Sequence, residues 1–212
     1  KHYRMDNSGA PFELTVYTDF ICPWCYIGMA NLNKAQEIAK FKVRYVMYPL
    51  HPNTPSDGIR LEQLFSGRDV DIARQQAEVR AKALEIGLEY KLRTHSYNSR
   101  RAQVVSKGLA KDGVFETFQD AVFRAYFANG ENINRIDVLQ GLLDDISPNR
   151  WSAERMVHDS ELEAAVEELA EDRGAQPRPP RAQRALLRDD GAQAVGQAPV
   201  LAGLPEAVLD LE

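Results

Sequence analysis

The chain has 212 residues, 44% of them apolar, which suffices for one domain with an insertion, or two small ones, around a real core. Its 31 acidic against 26 basic residues give a net charge of −5 without any basic block, so nucleic acid is excluded as an expected partner. No run approaches the roughly 20 apolar residues of a membrane helix, and Lys1-His2-Tyr3-Arg4-Met5 is not followed by the apolar run of a secretion signal. No membrane partner is expected, and the chain reads as cytoplasmic.

Residues 12–18 alternate, with Phe12, Leu14 and Val16 on one face and Glu13 and Thr15 on the other, the period of a half-buried strand. Both cysteines of the chain follow directly, in Cys22-Pro23-Trp24-Cys25. From Ala30 to Lys40 the apolar positions Leu32, Ala35, Ile38 and Ala39 recur at helical spacing, and Pro23 suits the first turn, where its missing N–H would be unpaired anyway. A second alternating run, Phe41, Val43, Tyr45 and Met47, stops at Pro49. Residues 12–49 therefore read strand, helix, strand, for which a right-handed βαβ unit is the expected geometry.

Helical stripes fill the next stretch to about Gly174. They are Ile72, Val79, Ala83 and Ile86; Ala102, Val105 and Leu109; Phe115, Phe118, Val122 and Ala125; and Leu162, Val166 and Leu169. Gly113 and Gly130 fit C-terminal caps, and Ser160 with Glu163 fits a capping box. The aromatic group Phe115, Phe118, Phe123, Tyr126 and Phe127, at helical spacing, is expected to pack the core rather than line a groove. Residues 175–190 carry three prolines and four arginines and no period-2 pattern, although a βαβ unit needs further strands to complete its sheet.

Cysteines three apart at a helix start share a face and close a small disulfide ring. Helix N-terminal N–H groups favour a thiolate there. Cys22, nearer that terminus, is expected to be the acidic nucleophile, and Cys25 the resolving thiol. Between them Pro23 restricts the backbone and Trp24 offers a broad apolar surface to a substrate groove. Zinc is a poor alternative, because a tetrahedral site needs four ligands and His2, His51, His95 and His158 are scattered without paired spacing. A purely structural disulfide is also poor, since so short a loop removes little chain entropy. His51, just after the second strand, either tunes Cys22 or sits in a solvated loop, the latter being the better expectation. Asp19 reads as a turn or pre-helix polar residue before it reads as an acid serving the dithiol.

The stretch Val16-Tyr17-Thr18-Asp19-Phe20-Ile21-Cys22-Pro23-Trp24-Cys25-Tyr26-Ile27-Gly28 resembles the DsbA-like thioredoxin-fold family. Within it the likeness is to the FrnE branch, grouped with 2-hydroxychromene-2-carboxylate isomerases and kappa-class glutathione transferases. Asn98-Ser99-Arg100 with Ala102, then Phe123-Arg124-Ala125-Tyr126-Phe127 with Gly130, and finally Gly191-Ala192-Gln193 continue the likeness in family order. The resemblance implies an α/β thioredoxin fold with a large all-helical insertion. Residues 10–52 would form its first half, 53–165 the insertion and 166–212 the second half. It also implies a substrate-facing cis-proline, which counting back from Gly191 places at Pro179.

The implied activity is dithiol–disulfide exchange with cysteine-containing protein substrates, needing no cofactor or metal beyond the Cys22/Cys25 pair, with glutathione as a candidate co-substrate. The related isomerases and transferases usually carry serine where Cys22 stands. The retained cysteines therefore favour redox chemistry over the alternative, a glutathione-dependent isomerase or transferase. A third alternative is a non-enzymatic redox switch.

Overall fold

The structure, a computed structural model, describes residues 13–171 and 201–202. Pro179 and the Gly191-Ala192-Gln193 tripeptide lie outside the described residues.

Strand β1 (Glu13–Thr18) follows the expected alternation, with Leu14, Val16 and Thr18 buried and Glu13 exposed. It pairs in parallel with β2 (Lys42–Met47), Leu14 opposite Val43 and Val16 opposite Tyr45. The connection between these parallel strands is α1 (Pro23–Ile38). Pro23 starts the helix at a position where no backbone donor is lost, and the helix ends at Ile38, two residues short of the expected Lys40, with Ala39 in extended conformation as its C-cap. Leu201–Ala202, strand β5, pairs antiparallel with the other edge of β1, so β1 is the central strand of the order β2-β1-β5.

Beyond β2 the described chain is predominantly helical: α2 (Leu61–Leu64), α3 (Ile72–Glu85), α4 (Arg100–Gly108), α5 (Phe115–Arg124), α6 (Ile136–Ile146), α7 (Ala153–Val157) and α8 (Ser160–Glu171). Val79 and Ala83 of α3, Ala102 and Val105 of α4 with the following Leu109, and Phe118 and Val122 of α5 point inward as their stripes predict. Helix α5 continues as a π-helical turn, Ala125–Asn129, that Gly130 closes with φ 78°.

The expectation of an all-helical insertion needs one correction. Two short strands, β3 (Ile59–Arg60) and β4 (His95–Ser96), pair antiparallel within it, Ile59 opposite Ser96 and Arg60 opposite His95. Two residues are too few to show a period in sequence. Gly58, at φ 88°, makes this pairing possible, because a Cβ there would lie 2.5 Å from the Tyr97 ring and 2.9 Å from the Ser96 carbonyl oxygen.

Two capping assignments also change. The N-cap of α8 is Asp159 and not Ser160: its Oδ1 accepts from the N–H groups of Glu161 (2.9 Å) and Leu162 (3.1 Å). Gly113 sits at φ 70° in the turn that follows α4, whose C-cap is Leu109. The stripe of α6 escaped the sequence reading, although Ile136, Leu139, Leu143 and Ile146 have helical spacing and Leu139 and Leu143 are fully buried.

One hydrophobic core joins the two parts. Phe20 and Tyr26, from the dithiol segment, meet Phe123 with ring centroids 5.3 and 5.7 Å away, and Tyr26 stacks on Phe127 at 5.1 Å. Phe118, Phe123, Tyr126 and Phe127 are buried as expected, while Phe115 is half-buried against Tyr45. Burying each such ring contributes about 1.5–3 kcal/mol. The helical part is thereby fixed against the start of α1, where the cysteines lie.

Candidate active site

The loop from β1 to α1 is held from beneath by Asp19. Its buried carboxylate accepts from the N–H of Leu50 at 2.7 Å, the N–H of Ile21 at 3.5 Å and Nε2 of Gln103 at 3.1 Å. Gln103 Nε2 also donates to Ser99 Oγ at 3.1 Å. One side chain thus ties the dithiol loop to the exit of β2 and to α4. Burial pushes the Asp19 carboxyl above its ordinary value, opposed by the bonds from Leu50, Ser99, Ile21 and Gln103. The turn role expected of Asp19 is present in the Ile21 bond, and the long-range role comes with it. Gln103 was missed by the sequence reading. Its signal is a polar residue set between the apolar Ala102 and Val104-Val105 of one helix.

Cys22 occupies the N-cap of α1 and is 6% exposed, while Cys25 lies half-buried one turn on, beside Val16, Thr18, Gly28 and Met29. Both are free thiols, and the two sulfurs share a hydrogen bond. The S–H of Cys22 donates to Cys25. That bond holds Cys25 below the usual thiol range and, with burial adding to it, keeps Cys22 well above. The contact that lowers Cys25 raises Cys22, the direction opposite to the acidity expected of Cys22 from its place at the helix N-terminus.

Cys22 opens onto a cavity of about 160 Å³ between the start of α1 and the helical part. Pro23 and Trp24 line it beside Cys22, as the motif leads one to expect, and Leu61, Phe65, Val79 and Tyr90 form much of its apolar wall. Cys25 does not line it and stands behind Cys22 against β1. His51 also lines the cavity, half-buried and edge-on to Phe65, so it is not the solvated loop histidine expected; burial, with the Arg68 charge, lowers its pKa. Arg93, unremarked in the sequence, completes the polar lining.

The profile of the DsbA-like thioredoxin domain matches residues 13–176. The chain belongs to the DsbA-like thioredoxin family. The matched span takes in β1, the dithiol and the helical part, and the fold is the thioredoxin fold with the helical insertion that this family carries.

Among individual proteins, this DsbA-like chain is 25% identical over 144 residues to the uncharacterized protein YwbO of Bacillus subtilis (strain 168), covering 63% of its own length and 66% of that protein, just under two thirds. The fold resembles a crystal structure of a probable DsbA oxidoreductase from Streptomyces coelicolor (TM-score 0.65, 22% identity, 76% of this chain and 72% of that one). It also resembles the cytosolic disulfide reductase DsbM from Pseudomonas aeruginosa solved with GSH (TM-score 0.55, 20% identity, 79% and 84% of the two chains).

Proposed function

We propose that this protein is a thiol–disulfide oxidoreductase or isomerase of the FrnE type that exchanges disulfides with cysteine-containing protein substrates through Cys22 and Cys25. The observation that carries the reading is the placement of the pair. Cys22 faces the cleft, Cys25 stands behind it out of the cleft, and their sulfurs are close enough to share a proton.

Proton transfer from Cys22 to the Cys25 sulfur, or to solvent, frees a Cys22 thiolate at the cavity. That thiolate attacks a substrate disulfide R–S–S–R′, forming Cys22–S–S–R and expelling R′S⁻. Cys25 then attacks the Cys22 sulfur and expels RS⁻, so two electrons pass from the dithiol to the substrate and the enzyme is left with a Cys22–Cys25 disulfide. Two molecules of thiol restore the dithiol and leave as a disulfide, or the steps run in reverse and oxidise the substrate. Glutathione is the candidate thiol, and a cytoplasmic setting fits it; the likeness to a reductase solved with GSH supports both readings. The dithiol supplies the redox chemistry, and the exchange calls for no further cofactor. Pro23 and Trp24 form the near wall of the substrate groove. Pro179, the substrate-binding proline that the family likeness implies, belongs to the same proposal.

Reduction of insulin disulfides and refolding of scrambled ribonuclease test the reading. Cys22→Ser is expected to abolish both, and Cys25→Ser to accumulate a mixed disulfide with the substrate. Turnover that survives Cys22→Ser would overturn it, whereas glutathione-dependent activity on a small aromatic substrate that survives loss of Cys25 would favour the isomerase or transferase chemistry.

A further inference from the structure

Arg93 lies in the wall of the cleft that Cys22 opens onto, and no carboxylate partners it among the described residues. Its Nη1 donates to the Tyr126 hydroxyl at 2.7 Å and its Nη2 to the Tyr90 hydroxyl at 3.3 Å. The guanidinium also lies 4.8 Å from the Phe127 ring centroid and 5.0 Å from that of Tyr126. Its Nε is buried and meets no acceptor among the described residues.

A cation withdrawn from water and given only hydroxyls and ring faces is incompletely compensated, and an unpaired buried donor adds to the cost. Docking of an anion offsets both. Arg93, Tyr90 and Cys22 line the same cavity, which sets this cation near the dithiol. The rest of the cleft agrees in sign. Arg68 lines it too, and its one carboxylate among the described residues, Glu78, is held by Arg74 at 2.8 Å. The chain as a whole is acidic, at −5, so a positive cleft beside the thiols is not the product of composition.

We propose that Arg93 is the carboxylate-binding residue of this cleft, and that the small thiol exchanging with the dithiol carries a carboxylate on a short arm from its sulfur. The proposal rests on the dithiol reading and names the class of its co-substrate. A cavity of about 160 Å³ is on the scale of such a small molecule. With the carboxylate on Arg93, the thiolate RS⁻ attacks Cys22 in the Cys22–Cys25 disulfide, forming Cys22–S–S–R and freeing Cys25. A second RS⁻ attacks the sulfur of R, releasing RSSR and the Cys22 thiolate. Two thiols have then supplied the two electrons that reduce the protein.

The test is calorimetric binding of S-methylglutathione, whose sulfur is blocked, and of its dimethyl ester, to the full chain. The acid is expected to bind the wild type about ten to a hundred times more tightly than the ester. Arg93→Gln should remove that preference, Arg93→Lys should keep part of it, and Arg68→Gln should leave most of it. Failure of the acid to bind, equal binding of acid and ester, or a preference that follows Arg68 in place of Arg93, would overturn the proposal. If Arg93→Gln does not fold, the wild-type pair and Arg93→Lys decide: a preference unchanged in the lysine variant, which cannot present a guanidinium fork, counts against Arg93. Repeating the titration on Cys22→Ser separates this result from the redox reading, since binding should persist where turnover is lost.

Discussion

The β1-α1-β2 unit and the helical part from α2 to α8 divide the work of the site unequally. The first supplies the reactive atoms: a buried strand, a proline-started helix and two sulfurs at its N-terminus. The second contributes no sulfur, yet it supplies most of the cleft wall, the Gln103 and Ser99 side of the Asp19 network, and the rings that fix the start of α1. A dithiol on the α/β unit alone would have chemistry without a pocket. What approaches Cys22 through the cleft therefore meets mostly side chains of the helical part.

The contact between the two parts is the place to break this division. Phe123→Ala removes the ring that touches Phe20 and Tyr26, and should cost about 3–5 kcal/mol in denaturant unfolding. A loss below about 1 kcal/mol would mean that the two parts fold independently of this contact.

A smaller effect is expected at Asp19. Asp19→Ala leaves the Leu50 N–H without its acceptor, at about 1–3 kcal/mol, while Gln103 Nε2 keeps Ser99 Oγ. The group also carries a pH signature. Its folded pKa is raised above the unfolded value, so the folded state holds the proton more tightly, and the associated stability is present at low pH and lost as pH rises through the raised pKa. Unfolding free energies followed upward from about pH 3 should thus fall in the wild type relative to Asp19→Asn. Parallel curves would show that Asp19 titrates alike in both states.

The finest distinction concerns the thiols themselves. Because the Cys22 S–H holds Cys25 low, Cys22→Ala should raise the pKa of Cys25, read from thiolate absorbance near 240 nm against pH. An unchanged or lower Cys25 pKa would show that the helix and backbone, and not the neighbouring sulfur, set its acidity.

Much of the first part was legible from the sequence because its signals are local. Alternation in Leu14 and Val16, the stop at Pro49 and the proline of the first helical turn each act over a few residues, and the structure places β1, α1 and β2 within a residue or two of them. The helical stripes of α3, α4 and α5 were legible for the same reason. The two-residue strands β3 and β4 were not, since their pairing joins positions about 36 residues apart, and Asp159 displaced Ser160 as cap by a single-residue choice that side-chain geometry makes.

The sequence by itself determined the thiol pair and the family, because Cys22-Pro23-Trp24-Cys25 and its flanks are contiguous and their spacing is fixed by covalent geometry and one helical turn. Only the tertiary structure decided what surrounds that chemistry. The hydrogen bond between the two sulfurs and its opposite pull on the two thiols depend on how Cys22 and Cys25 are buried together. The brace from Gln103 to Asp19 and the entry of Arg93 and His51 into the cleft depend on how α4, the turn after β2 and the segment before β4 pack. Such contacts join residues as many as 84 apart, and no local propensity encodes them; they follow from burying the aromatic core in one way.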